Sequence, residues 1–182
     1  MKKELRSKYL TVRNTIKSNK LDKEIFNRVI TNEHIINCNL LLVYVSYNSE
    51  VDTINIIKYF LGKKIVAVPK IENNIMNFYL INSLSDLKEG TFGILEPISN
   101  KIVTEFTNTV SITPGICFSK EFYRIGYGKG FYDKFYSMHN NIYKIGLTYD
   151  ECLIDTFTYD NFDKPLDEII TPTKILVKSN KK

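Results

Sequence analysis

The run Asn39-Leu40-Leu41-Leu42-Val43-Tyr44-Val45 constrains the fold of this chain more than any other segment. An uninterrupted apolar stretch has no polar face to turn toward water. It is also far shorter than the ~20 residues needed to span a bilayer. Such a stretch, bounded by polar residues, marks a strand covered on both sides, as in a parallel sheet. After a polar turn, Asp52 is placed to cap a helix carrying Ile54, Ile57, Phe60 and Leu61. A second buried strand is expected from Lys64 to Val68, stopped by Pro69. Strand, helix and strand in this order make a βαβ unit.

The rhythm continues along the chain. Met76 to Leu80 reads as a strand, and Val110 to Thr113 as another that ends at Pro114-Gly115. Phe131 to Met138 reads as a helix, with late strands at Lys144 to Leu147 and Lys174 to Val177. Between Asn73 and Glu105 the periodicity is weak, which predicts short strands and loops. At the start, Leu5, Tyr9, Val12 and Ile16 recur at intervals of three and four, the apolar stripe of a helix from Lys2 to about Asn19. A second helix is expected from Leu21 to Ile30. With no repeat, low-complexity tract or linker, residues 1–182 read as a single α/β domain with a mainly parallel sheet. In such sheets ligands bind beyond the carboxyl ends of the strands, so the loops after Val45 and Thr113 are the places to look.

Composition removes several classes of function. The basic N-terminus is not followed by an apolar segment, so the expectation is a cytoplasmic protein without a signal peptide, not associated with a membrane. The 3 cysteines, Cys38, Cys117 and Cys152, are widely spaced with no CxxC pair, and the 2 histidines, His34 and His139, lie apart from them. A disulfide framework or zinc site is therefore disfavoured, and the thiols are expected in the core. The net charge of +5 suits an anionic ligand, but the basic residues are spread along the whole chain without a dense stripe. Nucleic acid is accordingly not expected as a partner.

The most informative segment is Arg124-Ile125-Gly126-Tyr127-Gly128-Lys129-Gly130-Phe131-Tyr132-Asp133. Its alternating glycines precede a helix start, where exposed N–H groups and the positive end of the helix attract an anion. Lys129 adds a point charge and Arg124 a planar fork, both suited to phosphate oxygens. Asp133, in the first turn, is placed to hold a Mg²⁺ that bridges phosphates. The spacing excludes a Walker loop, since Gly130 follows Lys129, and excludes a dinucleotide fingerprint, since Phe131 stands where glycine is required. A flexible loop with incidental charges remains the plain alternative for this stretch on its own.

RIGYGKGFYD resembles the signature R-x-G-x-G-K/G-G-Y-Y-D of the 5-formyltetrahydrofolate cyclo-ligases, also called methenyltetrahydrofolate synthetases. The resemblance extends through the Lys2 to Ile16 helix, Tyr47 to Thr53, Val68-Pro69-Lys70 and Phe92 to Pro97. It continues in Thr113-Pro114-Gly115, Lys144 to Tyr149 and Lys164 to Ile169. Each piece is weak alone, but their order and distances make them specific together.

This resemblance implies a three-layer, Rossmann-like fold of the sugar-phosphate isomerase and CoA-transferase kind. It also implies a monomeric enzyme whose partners are the small molecules ATP and 5-formyltetrahydrofolate, with Mg²⁺ as cofactor. Lys2, Arg6 and the segment Arg124, Ile125, Gly126, Tyr127, Gly128, Lys129, Gly130, Phe131, Tyr132 are the ATP contacts it implies. Lys2 and Arg6 share a helical face at i, i+4. Lys129 and Arg124 are the implied catalytic residues. Val45, Glu50 and the stretch Tyr127 to Phe131 are the implied folate contacts, with the Glu50 carboxylate accepting from pterin N–H groups. Asp133 and Asp167 are the implied Mg²⁺ ligands. Phe131 departs from the family's tyrosine and lacks its hydroxyl. His34 and His139 lie outside the motifs and are expected to pack. Two other readings share these residues: a sugar-phosphate isomerase using the glycine loop without ATP, and a folate-holding relative without catalysis. Intact Lys129 and Asp133 argue against the latter.

Overall fold

In the computed structural model, which describes residues 1–180, the apolar run near residue 40 lies at the centre of a sheet. The chain begins with α1 (Lys2–Ile16), α2 (Asn19–Ile30) and the short α3 (Glu33–Asn37). It continues through β1 (Leu40–Val43), α4 (Ile54–Phe60), β2 (Ile65–Glu72), β3 (Ile75–Ile81), β4 (Leu87–Glu89) and β5 (Leu95–Pro97). There follow β6 (Thr109–Thr113), β7 (Cys117–Ser119), β8 (Arg124–Ile125), α5 (Phe131–Met138), β9 (Tyr143–Leu147), β10 (Leu153–Ile154), β11 (Glu168–Ile170) and β12 (Ile175–Val177).

The main sheet has 7 strands in the order β12-β11-β9-β6-β1-β2-β3. From β11 to β2 the neighbours are parallel, and β3 and β12 join antiparallel at the two edges. Because side chains alternate along a strand, Leu41 and Val43 face one side of the sheet with α2 and α4, through Ile25, Val29, Ile56 and Ile57. Leu40 and Leu42 face the other side, with Phe78 and with Phe135 and Tyr136 of α5. Both faces are covered, as the unbroken apolar run requires, and the result is three layers. A 3-stranded sheet, β10-β7-β8, carries the glycine segment and packs through Ile116, Cys117 and Ile125 against Tyr9 of α1. Among the described residues, no helix is long and apolar enough to cross a membrane.

The second strand corrects one expectation. Pro69 lies inside β2, opposite Phe78, and does not stop it. The Phe78 carbonyl accepts from Val103 on the far side of β3, so Phe78 and Pro69 exchange no ladder bond. The Pro69 nitrogen therefore points toward the β1 side. There the pairing with β1 has already ended at Ala67, and no donor is missed. Beyond it, Asn73 and Asn74 both take positive φ (51° and 61°), the two-residue turn that closes the β2–β3 hairpin.

The crossings place the site. From β1 the chain leaves to β2 on one side, and later returns to β6 on the other. Loops leaving β1 and β6 therefore diverge and open a crevice at their carboxyl ends.

Candidate active site

A cleft of ≈ 1120 Å³ occupies that crevice. It is lined by Tyr44, Val45 and Glu50 after β1, Pro114 after β6, the segment from Arg124 to Asp133, Lys2, Arg6 and Arg13 of α1, and the Thr91–Glu96 region. Every residue singled out above as an ATP or folate contact therefore lines one cleft. Val45 and Ile125 do so while also packing into the core.

The glycine segment leaves β8 and turns into α5. Gly128 (φ +94°) and Gly130 (φ +68°) adopt backbone conformations that L side chains rarely enter. Gly130 is the N-cap of α5 and offers no side-chain cap, so the first amides of the helix stay open. Among the described residues, the N–H groups of residues 127–133 donate to no other protein group. A bend of free amides at a helix N-terminus is what an anion requires. Lys129 is exposed beside it, with no ion pair among the described residues. Arg124 lies beneath, its side chain only 6% exposed, with Nη2 3.4 Å from Asp133 Oδ1 and its Nε buried without a partner. An unpartnered buried guanidinium nitrogen facing a cleft is a donor awaiting an acceptor.

Helix α1 closes one wall. Arg6 Nε donates to the Gly126 carbonyl at 2.8 Å, so its charge is held on the glycine bend. Lys2 also lines the cleft, but its ammonium is held by Asp163 at 2.6 Å and Asp160 at 3.1 Å. Partial burial works against the Lys2 charge, yet the two carboxylates outweigh it and raise its pKa.

Glu50 stands at the other end. Its loop is braced by Thr53, whose hydroxyl donates to the Tyr44 carbonyl at 2.5 Å and accepts from Ser46 N–H, and by the Tyr44 hydroxyl, which donates to the Val51 carbonyl. Asp52 accepts from the Ile54 amide at 3.0 Å, which is the capping expected of it, although the helix N-cap itself is Thr53. Glu50 Oε1 accepts from Tyr47 N–H at 2.9 Å. Burial pushes its carboxyl up to about 7, against the opposing pull of that hydrogen bond and of Arg13 and Lys17. Tyr132, whose hydroxyl is buried and unpartnered, is held well above the usual phenol range, first by burial. It remains a donor at any physiological pH.

Of the two carboxylates implied as metal ligands, one lines the cleft. Asp133 lines the cleft, and its hydrogen bonds from Lys164 N–H and Arg124 both use Oδ1, leaving Oδ2 without one among the described residues. Asp167 is not among the residues lining the cleft. Its Oδ2 accepts from the Lys144 backbone at 2.8 Å and pairs with the Lys144 ammonium at 3.4 Å, a bond that fixes the start of β11 against β9. One protein carboxylate, with substrate phosphate oxygens and water, suffices for Mg²⁺, so Asp133 fits the ion.

Three features escaped the sequence reading. Arg13, not singled out in the sequence, is buried and lines the cleft. At about 100° per residue it falls between Lys2 and Arg6, ~20° from each, a signal that was available. Phe92, exposed and in the left-handed region (φ 62°), stands at the cleft mouth, with Gly93 against Tyr47. Asp160 and Asp163 carry no local signature. The histidines do pack: His34 stacks on Tyr143 at 3.9 Å, and His139 lies against Phe106 and Phe135. All three cysteines are buried.

A model of the 5-formyltetrahydrofolate cyclo-ligase family matches residues 1–172. The chain belongs to that family. A protein from Caenorhabditis elegans named a probable 5-formyltetrahydrofolate cyclo-ligase is 28% identical, over 93% of this chain and 92% of its own length. The 5-formyltetrahydrofolate cyclo-ligase of Escherichia coli K12 is 26% identical over 85% of this chain and 90% of its own. The solution structure of the 5,10-methenyltetrahydrofolate synthetase of Aquifex aeolicus superposes with a TM-score of 0.88 at 26% identity, covering 100% of this chain and 94% of that one. The cyclo-ligase family thus accounts for the whole three-layer fold, and the cleft just described is its candidate active site.

Proposed function

We propose that this cyclo-ligase converts 5-formyltetrahydrofolate to 5,10-methenyltetrahydrofolate at the expense of ATP, releasing ADP and phosphate. The single observation that carries the reading is that one cleft joins two unlike ends. At one end are free amides, Lys129 and Arg124, suited to phosphates. At the other are Glu50, an acceptor for pterin N–H groups, and apolar Val45 and Tyr44.

The chemistry follows from that juxtaposition. The formyl oxygen on N5 is a poor leaving group. It attacks the γ-phosphorus, the bond to the β-phosphate oxygen breaks, and ADP departs. The N10 lone pair then adds to the activated formyl carbon and N10 gives up its proton. The carbon–oxygen bond breaks with loss of phosphate, leaving the methenyl bridge. Little covalent work falls to the protein, whose task is to align donor and acceptor and offset charge. The amides of residues 127–133 hold the phosphate chain, Lys129 follows the transferring group, and Arg124 supplies its unpartnered Nε. Arg6 keeps the bend closed from behind, and Tyr127 and Phe131 cover the reacting groups from water. Mg²⁺, held by Asp133, supplies charge neutralisation on the phosphates. We also take the enzyme to be a cytoplasmic monomer.

The test is simultaneous measurement of ADP release and methenyl-folate absorbance, with and without Mg²⁺. Equal amounts of the two products, formed only with Mg²⁺, are expected. Methenyl-folate formed without nucleotide consumption, or no product at high enzyme, would remove the proposal.

A further inference from the structure

Arg13 has an unusual set of partners for a buried cation. It is 3% exposed, and its fork reaches three separate loops. Nε donates to Ser49 Oγ at 2.9 Å, Nη1 to the Gly115 carbonyl at 3.1 Å and Nη2 to the Tyr127 hydroxyl at 2.8 Å. These belong to the Glu50 loop, the exit of β6 and the glycine bend, which are three walls of one cleft. All three acceptors are neutral. Burying a charge without an ion pair is costly, so the uncompensated charge calls for a nearby anion.

The charged and titratable groups facing Glu50 are Arg13 of α1, Lys17 at its C-cap, Tyr44 just after β1, Tyr127 of the glycine bend and Tyr132 of α5. Of the two cations, Lys17 is already committed. Its ammonium pairs with Asp22 at 2.9 Å and donates to the Glu50 carbonyl at 2.6 Å. Arg13 is left as the charge without a salt-bridged carboxylate among the described residues.

We propose that Arg13 is the positioning residue of the folate end: it locks the Glu50 loop to the glycine bend and supplies the positive charge that faces the Glu50 carboxylate. The assignment of that end to folate rests on the function proposed above, whereas the coupling of Arg13 to Glu50 does not. Lysine does not replace it, because a point charge on a flexible stem cannot hold three acceptors at once.

Two measurements on the full chain separate these parts. First, the Glu50 side-chain carboxyl is titrated by carbon NMR in wild type, Arg13→Met and Arg13→Lys, with no ligand present. Arg13→Met is expected to raise the midpoint by about one pH unit or more, as loss of a nearby opposite charge does. Arg13→Lys is expected to leave it nearly in place. Second, 5-formyltetrahydrofolate affinity is measured for wild type, Arg13→Lys and Ser49→Ala. About tenfold weaker folate binding is expected for Arg13→Lys, and a smaller loss for Ser49→Ala, with MgATP affinity less affected in both. A merely structural role would lower melting temperatures without moving the Glu50 midpoint. Should Arg13→Met fail to fold, Arg13→Lys and Ser49→Ala still decide the locking role. An unmoved midpoint in folded Arg13→Met, or wild-type folate affinity in Arg13→Lys, overturns the inference. Failure of the wild type to bind folate would instead strike the proposed function, and the NMR midpoints would still decide the coupling.

Discussion

Arg6 donates through Nε to the Gly126 carbonyl at 2.8 Å, and its guanidinium lies close against the position a Cβ on Gly128 would take. A Cβ there would approach Arg6 Cζ to 3.3 Å, whereas one on Gly130 would meet nothing within 4 Å. The two glycines are therefore required for different reasons. Gly130→Ala carries only the backbone cost of its left-handed conformation, ~1–2 kcal/mol, and lowers Tm by about 2–6 °C. Gly130→Asn should recover part of that loss, since asparagine tolerates this region. Gly128→Ala adds the displacement of Arg6 and should weaken MgATP binding severalfold more than Gly130→Ala. Thermal melts and nucleotide titrations of the three variants check this, and equal nucleotide affinities would contradict it.

In the proposed mechanism Lys129 acts on the transferring phosphoryl group, and among the described residues its ammonium makes no ion pair that a substitution would break. Lys129→Ala should lower kcat by ~10²-fold or more with little change in Tm or in folate KM. Steady-state kinetics with both substrates varied give the answer, and near wild-type turnover would count against this role.

Glu50 gives a pH signature. Its carboxyl sits at about 7 because burial disfavours the charge, against an ordinary 4.5. Between those values the unfolded chain has lost this proton and the native state still holds it, so stability falls as pH rises from about 4.5 through 7. Glu50→Gln should lack that component of the slope, seen by urea denaturation at pH 5 and pH 8. Folate binding should run the opposite way in wild type, strengthening as the carboxylate forms. Glu50→Ala should raise folate KM more than ATP KM, and equal effects would undo the assignment.

The two aspartates should separate cleanly. Asp133→Asn removes the carboxylate at the glycine bend and should shift the Mg²⁺ dependence of ADP release at least tenfold, as loss of a metal-bound carboxylate does. Asp167→Asn acts on the Lys144 contact that anchors β11, so its effect should fall on stability. A comparable Mg²⁺ shift from Asp167→Asn would restore the two-carboxylate site.

Where a residue's surroundings are local, its place was legible. The Leu40 to Val45 run announced a strand buried on both faces, and β1 is that strand. The glycine segment announced a bend of open amides before a helix, and α5 begins there. Pro69 misled because its tolerance depends on where β1 stops, a fact about a neighbouring strand. Asn73-Asn74 was a readable hairpin signal between two apolar runs that went unused. The small β7–β8–β10 sheet has strands too short to carry periodicity. Arg13 shares the helical face of Lys2 and Arg6, but its partners lie in three loops distant in sequence, and only the fold brings them to it. Asp133 and Asp167 share residue type and the role the resemblance implies, and only tertiary structure separates their surroundings.

In the proposed mechanism the glycine bend seats a nucleotide triphosphate beside folate. Calorimetric titration of MgATP into the folded enzyme, with 5-formyltetrahydrofolate present and absent, tests this most directly. One nucleotide bound per chain is predicted, with affinity reduced in Gly128→Ala. No heat of association under either condition would contradict the account.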